Sequence, residues 1–442
     1  MSIQLYVPSA VIRAGRVQTE QAVAVSGGDI IAVGDREQLA REFATASIVD
    51  WHGLALVPGT VNAHNHSFQS LLRGIATDEP FLQWRDRALY AHTPLLTPDV
   101  LYAGALLAFG EMLLCGVTTV ADFFYVHGPN DERDLAIIRA ARDLGIRFVM
   151  ARTMYDWSGA PALYRETVAD AVSNTRALAE RFADDPLIDV HPAPHSPHAA
   201  SPDMIRAGHR LAAELGTPFH IHVAEEPFEV EGTLREHGLR PVHLLDHLGV
   251  LDESLIAIHL VWLEDSEIHL LGDRRAGLAY CPSSNMFLAD GVTRIPDLLA
   301  AGVRVGLGSD GACSNNRVSV FEEMRMVSLL QKVARLDATA VNATSAFTMG
   351  TLGGAQLLRL PSGDIAPGLR ADFVGLDTSH LSLAPYAPDK LVSHIVYSMQ
   401  PDAVRHVVVH GRHIVLDGTL QTVPRARIGQ LVADAVRAFA TS

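Results

Sequence analysis

Histidine and acidic side chains stand at four places where the sequence predicts that β-strands end. Residues two apart on a strand share a face, so a His-x-His pair at a strand end directs both rings to the same side. Neutral imidazole and carboxylate groups are common ligands of divalent metals, so the pattern predicts a metal site. The residues concerned are His64 and His66, His222 with Glu225, His259, and Asp310.

These residues fall within an alternation of apolar strand-like runs and longer helical patterns, which is typical of βα units and a parallel sheet. Helical patterns at 98–115, 162–182 and 202–215 separate some of the runs, and Ser201 and Pro202 are expected to begin the last of them. Eight such units favour an α/β fold of the (β/α)8 TIM barrel type over a doubly wound sheet of about five strands. The eight predicted strands are 54–62, 118–124, 147–154, 188–193, 218–224, 255–260, 277–280 and 303–308.

Both ends of the chain contain short β segments instead. Apolar runs flank the turn at 26–29, which indicates a hairpin, and similar short runs follow residue 364. We therefore predict a small β-sandwich domain built from both termini, residues 1–57 and 364–442, and a hydrolase barrel over 58–363. A length of 442 residues suggests about three domains, but a barrel often takes about 250 residues as one unit.

The composition restricts partners and compartment. A net charge of −15 argues against nucleic acid and against an anionic membrane surface as partners. Three cysteines without CxxC spacing form neither a disulfide framework nor a zinc ribbon. The first residues lack a signal-peptide pattern, and the longest apolar run, 100–110, is shorter than the roughly 20 residues of a membrane span. We expect a cytoplasmic protein.

The motifs resemble those of the metal-dependent amidohydrolase superfamily over essentially the whole chain. His64-Asn65-His66, the His222 and Glu225 pair, His259 and Ser309-Asp310 carry the likeness, and the runs 281–286, 308–316 and 363–372 extend it. The runs 281–286 and 308–316 resemble the aminohydrolase branch, which includes guanine, 8-oxoguanine and S-adenosylhomocysteine deaminases and triazine hydrolases. The resemblance implies a hydrolase of carbon–nitrogen bonds other than peptide bonds. It also implies a small-molecule substrate and a homodimer or larger homo-oligomer.

The resemblance further implies a ligand set and catalytic roles. One divalent metal per chain would be held by His64, His66, His222 and Asp310, with Zn²⁺ expected and Fe²⁺ or Mn²⁺ left open by the ligand types. A water activated by that metal would displace ammonia.

In the same scheme, Asp310 takes the proton of that water while His259 orients the water. Glu225 carries a proton to the ring nitrogen and then to the departing amine. An acidic helix start remains an alternative reading of Glu225. His220, deeper in the same strand, is interpreted as a packed or supporting histidine.

Lysine is nearly absent, and this excludes two mechanisms. Lys332 and Lys390 are the only lysines of the sequence, and neither lies in a predicted barrel strand. A binuclear site bridged by a carboxylated lysine and a Schiff-base barrel enzyme are therefore excluded.

The resemblance also suggests candidate substrate-binding residues, which are Gln69, Trp84, Arg85, Tyr125, Arg152 and His195. Core packing remains an alternative for Trp84, a surface salt bridge for Arg152, and a polar helix start for Gln69.

Part of the set also resembles formiminoglutamate deiminase. That family has an arginine three residues after the histidine that corresponds to His195, where this chain has His198. Histidine lacks the bidentate fork with which arginine binds a carboxylate.

These observations predict a metal-dependent hydrolytic deaminase of an amino-substituted N-heterocycle of the purine, pterin, pyrimidine or triazine type. Two enzymatic alternatives stay open: a formimino or amidine deiminase acting on an acyclic amino-acid derivative, and a dechlorinating or alkylamine-releasing triazine-type hydrolase. A non-enzymatic scaffold is the third alternative, because a fold alone does not prove chemistry.

Overall fold

A computed structural model describes residues 2–440, with side chains described as far as Arg437. The strands are β1 Gln4–Arg13, β2 Arg16–Gln18, β3 Gln21–Ser26, β4 Asp29–Asp35, β5 Ser47–Pro58, β6 Thr60–Asn65, β7 Val117–Phe124, β8 Arg147–Met154, β9 Ile188–Pro194, β10 Phe219–Val223, β11 Leu255–His259, β12 Gly277–Tyr280, β13 Arg304–Leu307, β14 Phe373–Asp377, β15 Val404–Val409, β16 Arg412–Leu416 and β17 Thr419–Leu420.

The helices are α1 Arg36–Glu42, α2 Phe81–Trp84, α3 Pro98–Leu114, α4 Glu132–Leu144, α5 Val168–Phe182, α6 Pro202–Leu215, α7 Pro227–His237, α8 Pro241–His247, α9 Asp265–Asp273, α10 Pro282–Phe287, α11 Ile295–Ala300, α12 Val320–Arg335, α13 Ala343–Thr348, α14 Gly354–Leu357, α15 Leu391–Tyr397 and α16 Arg425–Ala440. Short 3₁₀ segments span Ser67–Leu72, Thr93–Leu95, Ala162–Tyr164, Leu381–Leu383, Pro388–Lys390 and Pro401–Ala403, and π-helical turns span Arg85–Tyr90 and Met349–Gly353.

The strands from β6 to β13 form two four-stranded parallel sheets, in the orders β6-β7-β8-β9 and β10-β11-β12-β13. The prediction of an α/β chain with parallel strands is confirmed. Backbone hydrogen bonds link the sheets, because the N–H of His222 donates to the His195 carbonyl and the N–H of Asp310 donates to the His64 carbonyl, both at 3.0 Å. The predicted strand 54–62 is divided in two at Gly59, where a Cβ would lie only 2.1 Å from the Thr118 hydroxyl oxygen.

The helices begin and pack as their sequences require. The Ser201 hydroxyl accepts a hydrogen bond from the Met204 N–H at 3.2 Å, and Pro202 occupies the first turn of α6, as predicted. Helix α3 contains the long apolar run and is buried on most sides, because α4 and α16 both pack against it. Within residues 2–440, no helix combines the length and apolar character needed to cross a bilayer.

The terminal strands form one nine-stranded sheet in the order β17-β16-β15-β14-β5-β1-β3-β4, with β2 paired to β1. Tyr6, Trp51 and Phe373 form its core, with edge-to-face ring contacts of 4.9–5.7 Å between centroids. The two ends of this sheet approach each other, because the Ala371 N–H donates to the Gly28 carbonyl at 2.9 Å while the Ala371 carbonyl accepts from Gly411 at 3.0 Å. The segment after residue 363 also contains α15 and α16, which the sequence analysis did not predict.

A buried ion pair connects strand β8 to the residue that precedes β14. The Arg147 guanidinium donates to both carboxylate oxygens of Asp372, at 2.7 and 3.2 Å, and both side chains are buried. Replacing Asp372→Asn leaves the Arg147 charge buried without its partner, so we expect a loss of about 3–5 kcal/mol in the free energy of unfolding.

Urea denaturation monitored by circular dichroism measures this loss. The matched control is Asp417→Asn, whose carboxylate pairs with Arg405 on the surface at 3.0 Å and should contribute about 0–1 kcal/mol. Equal losses in the two variants would show that the buried pair does not stabilise the junction.

Candidate functional site

Six side chains predicted to do chemistry meet at the carboxyl ends of the parallel strands, as expected for active sites of parallel α/β folds. Each is at most 6% exposed. Three of them are supplied by the strands β6, β10 and β11 themselves, and the others directly follow β6, β10 and β13. They are His64, His66, His222, Glu225, His259 and Asp310.

Hydrogen bonds fix the tautomer of two of the imidazoles. The Nδ1–H of His66 donates to the Phe123 carbonyl at 2.6 Å, and the Nδ1–H of His222 donates to the His195 carbonyl at 2.9 Å. Because a carbonyl only accepts, each ring keeps its proton on Nδ1 and leaves a lone pair on Nε2. Backbone carbonyls are typical partners for the second nitrogen of a ligating histidine.

His64 and Asp310 complete a donor set at this place. Both ring nitrogens of His64 are buried and have no hydrogen-bond partner among the described residues. Asp310 Oδ1 lies 3.4 Å from His64 Nε2 and 3.3 Å from His66 Nε2, and ligand atoms of these three residues lie within 4.8 Å of one another. An unpaired buried nitrogen costs free energy unless something binds it, so the residues present fit a divalent cation.

The electrostatics keep this donor set in the forms that metals bind. Burial, together with the neighbouring His64, lowers the pKa of His66 to about 4, so the ring is neutral. Burial together with adjacent imidazoles holds the pKa of His222 well below its usual range. Burial acts to raise the pKa of Asp310, but His64, His66 and His259 outweigh it and hold that pKa well below its usual range.

The backbone that presents Asp310 is tightly constrained. Asp310 has a left-handed backbone with φ of 58°, which few non-glycine residues adopt. Gly308 precedes it where β13 meets β6, and a Cβ there would lie 2.8 Å from the His64 carbonyl oxygen. The Ser284 hydroxyl donates to Asp310 Oδ2 at 2.6 Å and the Gly311 N–H donates to Oδ1 at 2.7 Å, so the carboxylate is held at both oxygens.

Glu225 and His259 form a pair beside the donor set, with His259 Nε2 3.2 Å from Glu225 Oε1. Burial raises the pKa of the Glu225 carboxyl well above its usual range, and the nearby Asp290 and Glu229 raise it further. Glu225 is therefore a buried carboxyl group able to carry a proton near neutral pH. It stands ahead of α7 and does not act as that helix's cap.

All six side chains lie beside one open cavity, and all but His64 line it; its volume is about 690 Å³ with the solvent at its mouth included. Its walls are mainly aromatic, which suits a planar ring. The wall residues that the sequence analysis named are Gln69, Trp84, Arg85, Tyr125 and His195.

Buried hydrogen bonds fix two of these residues. The Gln69 amide donates to the Tyr125 hydroxyl at 3.4 Å and accepts from the Cys313 thiol at 3.1 Å. The Trp84 indole N–H donates to the Cys313 carbonyl at 2.9 Å. Trp84 is thus buried and also forms part of the cavity wall.

Arg152 is the one predicted substrate-binding residue that the structure does not bring to the cavity. Its guanidinium binds Glu166 at 2.8 and 3.0 Å and lies 3.5 Å from Asp134. These carboxylates occupy its donors, so Arg152 supports the backbone at the end of β8. Glu166 in turn donates its N–H to the carbonyl of Tyr155, a residue of the cavity wall.

Several residues of the site have no role that the sequence predicts. Ser284 and Asn285 lie in a run that resembles the aminohydrolase branch, but the resemblance implies no role for either. Five aromatic wall residues come from segments between strands, where only spatial proximity reveals them. Those five are Phe81, Tyr90, Tyr155, Trp157 and Tyr164.

His220 is placed as interpreted. Its Nε2 lies 3.0 Å from His191 Nδ1, and both rings are fully buried.

Comparison with known proteins identifies the class of the chain. It belongs to the amidohydrolase family, because the profile of that family matches residues 55–414. A 5-methylthioadenosine/S-adenosylhomocysteine deaminase from Syntrophobacter fumaroxidans is 36% identical over 412 residues, covering 92% of this chain and 91% of that protein. A 5'-deoxyadenosine deaminase from Methanothermobacter thermautotrophicus is 37% identical over 422 residues, covering 95% and 93%.

Solved structures show the same relationship. An adenosine deaminase from Xanthomonas campestris with bound zinc superimposes with a TM-score of 0.93 at 30% identity, over 99% of both chains. The atrazine chlorohydrolase of Arthrobacter aurescens, complexed with zinc, has a TM-score of 0.91 at 23% identity over 99% of this chain and 100% of that one, which shows a shared fold alone.

These relatives confirm the prediction of a hydrolase acting on carbon–nitrogen bonds and, at the level of class, of a hydrolytic deaminase for amino-substituted N-heterocycles. The donor set, together with the zinc of the related deaminase structure, supports a divalent metal.

Proposed function

We propose that this chain replaces the ring amino group of an aminopurine, as base or nucleoside, with oxygen and releases ammonia. The observation that carries the proposal is the meeting of a metal donor set and a protonatable Glu225–His259 pair beside one aromatic cavity. A purine substrate is supported by the sequence relatives, which are deaminases of adenosine-type compounds. The reaction consumes one water and yields an oxo compound and ammonia.

We infer one divalent ion per chain, zinc, held by His64, His66, His222 and Asp310. The unpaired nitrogens of His64 and the free Nε2 lone pairs of His66 and His222 support this assignment. A divalent ion at this place supplies a Lewis acid, which lowers the pKa of water toward about 7.

The side chains of the site then accept and donate the protons that the reaction transfers. Asp310 is ionised, and its orientation is held by Ser284 and Gly311, so its carboxylate receives a proton from the attacking water. Glu225 delivers its proton to the ring nitrogen, takes up the proton that Asp310 received and passes it to the departing amine. It regains a proton from the hydroxyl oxygen as the oxo product forms. His259 holds the Glu225 carboxyl and the water in place.

Gln69 would read the ring edge of the substrate, because its amide carries both donor and acceptor atoms beside the cavity. Replacing Gln69→Leu should raise KM about tenfold through the loss of one or two hydrogen bonds, with little change in kcat. Steady-state ammonia release measures both constants. The control is Gln83→Leu, which changes an exposed glutamine of α2. If the KM of Gln69→Leu is no higher than that of the control, Gln69 does not bind the substrate.

We also propose that the two parallel sheets close into the eight-stranded barrel and that the nine-stranded sheet folds over as the small sandwich. Hydrogen bonds at His222 and Asp310 support the first, and the approach of Gly28 to Gly411 supports the second. The division into 58–363 and the two terminal segments remains a proposal.

An ammonia-release screen of the metal-loaded protein tests the function. Aminopurine bases and nucleosides, pterins, aminopyrimidines, amino- and chloro-triazines and formimino amino acids form the library, and chloride is measured in parallel. We expect the highest kcat/KM with an aminopurine. Faster release from a formimino compound, or chloride release exceeding ammonia release, would establish one of the alternatives instead.

A further inference from the structure

Of the four histidines predicted to do chemistry, three have a hydrogen-bond partner at Nδ1, and these three fall into two kinds. In His66 and His222 a backbone carbonyl faces Nδ1, which places the proton on Nδ1 and frees Nε2. His259 differs, because its Nδ1 faces the amide nitrogen of Asn285 at 3.1 Å. An amide NH₂ donates and does not accept, so His259 Nδ1 must be the acceptor and the ring proton lies on Nε2.

A second contact is made by the same end of the Asn285 amide. The Asn285 nitrogen also donates to Asp290 Oδ2 at 2.8 Å, so its two hydrogens serve one carboxyl oxygen and one imidazole. Asn285, Asp290 and His259 are all buried, so both hydrogen bonds form without competition from water.

The backbone holds this arrangement rigidly. Asp290 lies between α10 and α11, where its N–H donates to the Asn285 carbonyl at 3.0 Å and its carbonyl accepts from the Trp262 indole at 2.9 Å. The Thr293 hydroxyl donates to the His259 carbonyl at 2.7 Å, and His259 itself has a left-handed φ of 72°. Both ends of the hydrogen-bond chain are thus fixed to neighbouring segments.

We propose that Asn285 and Asp290 are positioning residues that set the Nε2–H tautomer of His259, so that this ring donates to Glu225 and does not ligate the metal. The chain of hydrogen bonds runs from the Asp290 carboxylate through the Asn285 amide and the His259 ring to Glu225 Oε1, 3.2 Å from His259 Nε2. Neither Asn285 nor Asp290 is among the residues that line the cavity. The effect of this tautomer on catalysis rests on the proposed function, but the assignment of the tautomer itself does not.

Nitrogen NMR of the zinc-loaded, full-length protein labelled with ¹⁵N-histidine tests the tautomer directly, since protonated and unprotonated ring nitrogens give distinct shifts. The His259 signals are identified by their absence from the spectrum of His259→Gln. We expect Nε2 protonated and Nδ1 unprotonated in the wild type. A proton on Nδ1 would overturn the proposal whatever the substrate is.

Three substitutions, at two positions, test the cause. Asn285→Asp replaces the donor with an acceptor, so the proton should move to Nδ1 and kcat should fall about 10- to 100-fold, with KM within about threefold. Asp290→Leu removes the acceptor that orients the amide and should lower kcat similarly, while Asp290→Asn, which keeps a carbonyl oxygen there, should recover most of that loss.

Each variant has a result that would contradict the proposal. An unchanged tautomer in Asn285→Asp would overturn it, as would equal losses in Asp290→Leu and Asp290→Asn. Should Asn285→Asp fail to fold, the Asp290 pair and the wild-type spectrum still decide. If no substrate is turned over, the proposed function is wrong, and the NMR spectra still show which nitrogen of His259 is protonated.

Discussion

His66→Ala is expected to remove both the bound divalent ion and the hydrolytic activity. The ring is held by the Phe123 carbonyl with Nε2 3.3 Å from Asp310 Oδ1, so the substitution removes one of the four proposed ligands. Loss of the Lewis acid removes several kcal/mol of transition-state stabilisation, which corresponds to at least about a 1000-fold fall in kcat/KM. Elemental analysis should give roughly one metal per chain for the wild type and under about a tenth for the variant.

The control for this variant is His269→Ala, which removes an exposed histidine of α9. It should keep full metal content and activity. Chelation of the wild type should reproduce the loss seen in His66→Ala, and added Zn²⁺ should restore activity to the chelated wild type but not to the variant. A His66→Ala protein that stays active without metal would refute the ligand assignment.

The residues that meet at the site could be predicted because a short stretch of sequence is enough to recognise a strand and the residue at which it ends. His64 lies in β6 and His66 follows that strand two residues later, while His222 precedes Glu225 at the end of β10. Parallel strands then bring these ends together without any need for knowledge of loops. The boundaries of β8 and β12 agree with the predicted strands for the same reason.

Other features depend on packing and could not be predicted. Arg152 lies near the end of β8, next to the site, and its position in the sequence suggests a substrate-binding residue. Glu166, whose carboxylate binds the Arg152 guanidinium, follows fourteen residues later in a loop. The division of the first predicted strand at Gly59 results from the approach of Thr118, a contact over fifty-nine residues of chain. The role of Asn285 likewise appears only when Asp290 and His259 are seen on either side of its amide nitrogen.

Glu225→Gln is expected to lower kcat for ammonia release by about 10²- to 10⁴-fold, the usual contribution of a general acid–base group. Gln keeps the shape of the side chain and an oxygen that accepts from His259, so metal content and the thermal midpoint should stay unchanged. Only the ability to give and take a proton is lost. Steady-state ammonia release with the best substrate of the screen measures the loss, and Glu231→Gln, which changes an exposed carboxyl of α7, is the control.

A substrate with a different leaving group shows where that proton goes. Chloride leaves without being protonated, whereas an amine must be protonated before it departs. The Glu225→Gln variant should therefore lose less activity on the chloro analogue of the same purine than on the amino compound, since only the ring nitrogen then needs a proton. Equal losses on the two substrates would mean that Glu225 serves the ring nitrogen alone. In that case the amine must obtain its proton elsewhere in the site, and Asp310, once protonated by the attacking water, is the group placed to provide it.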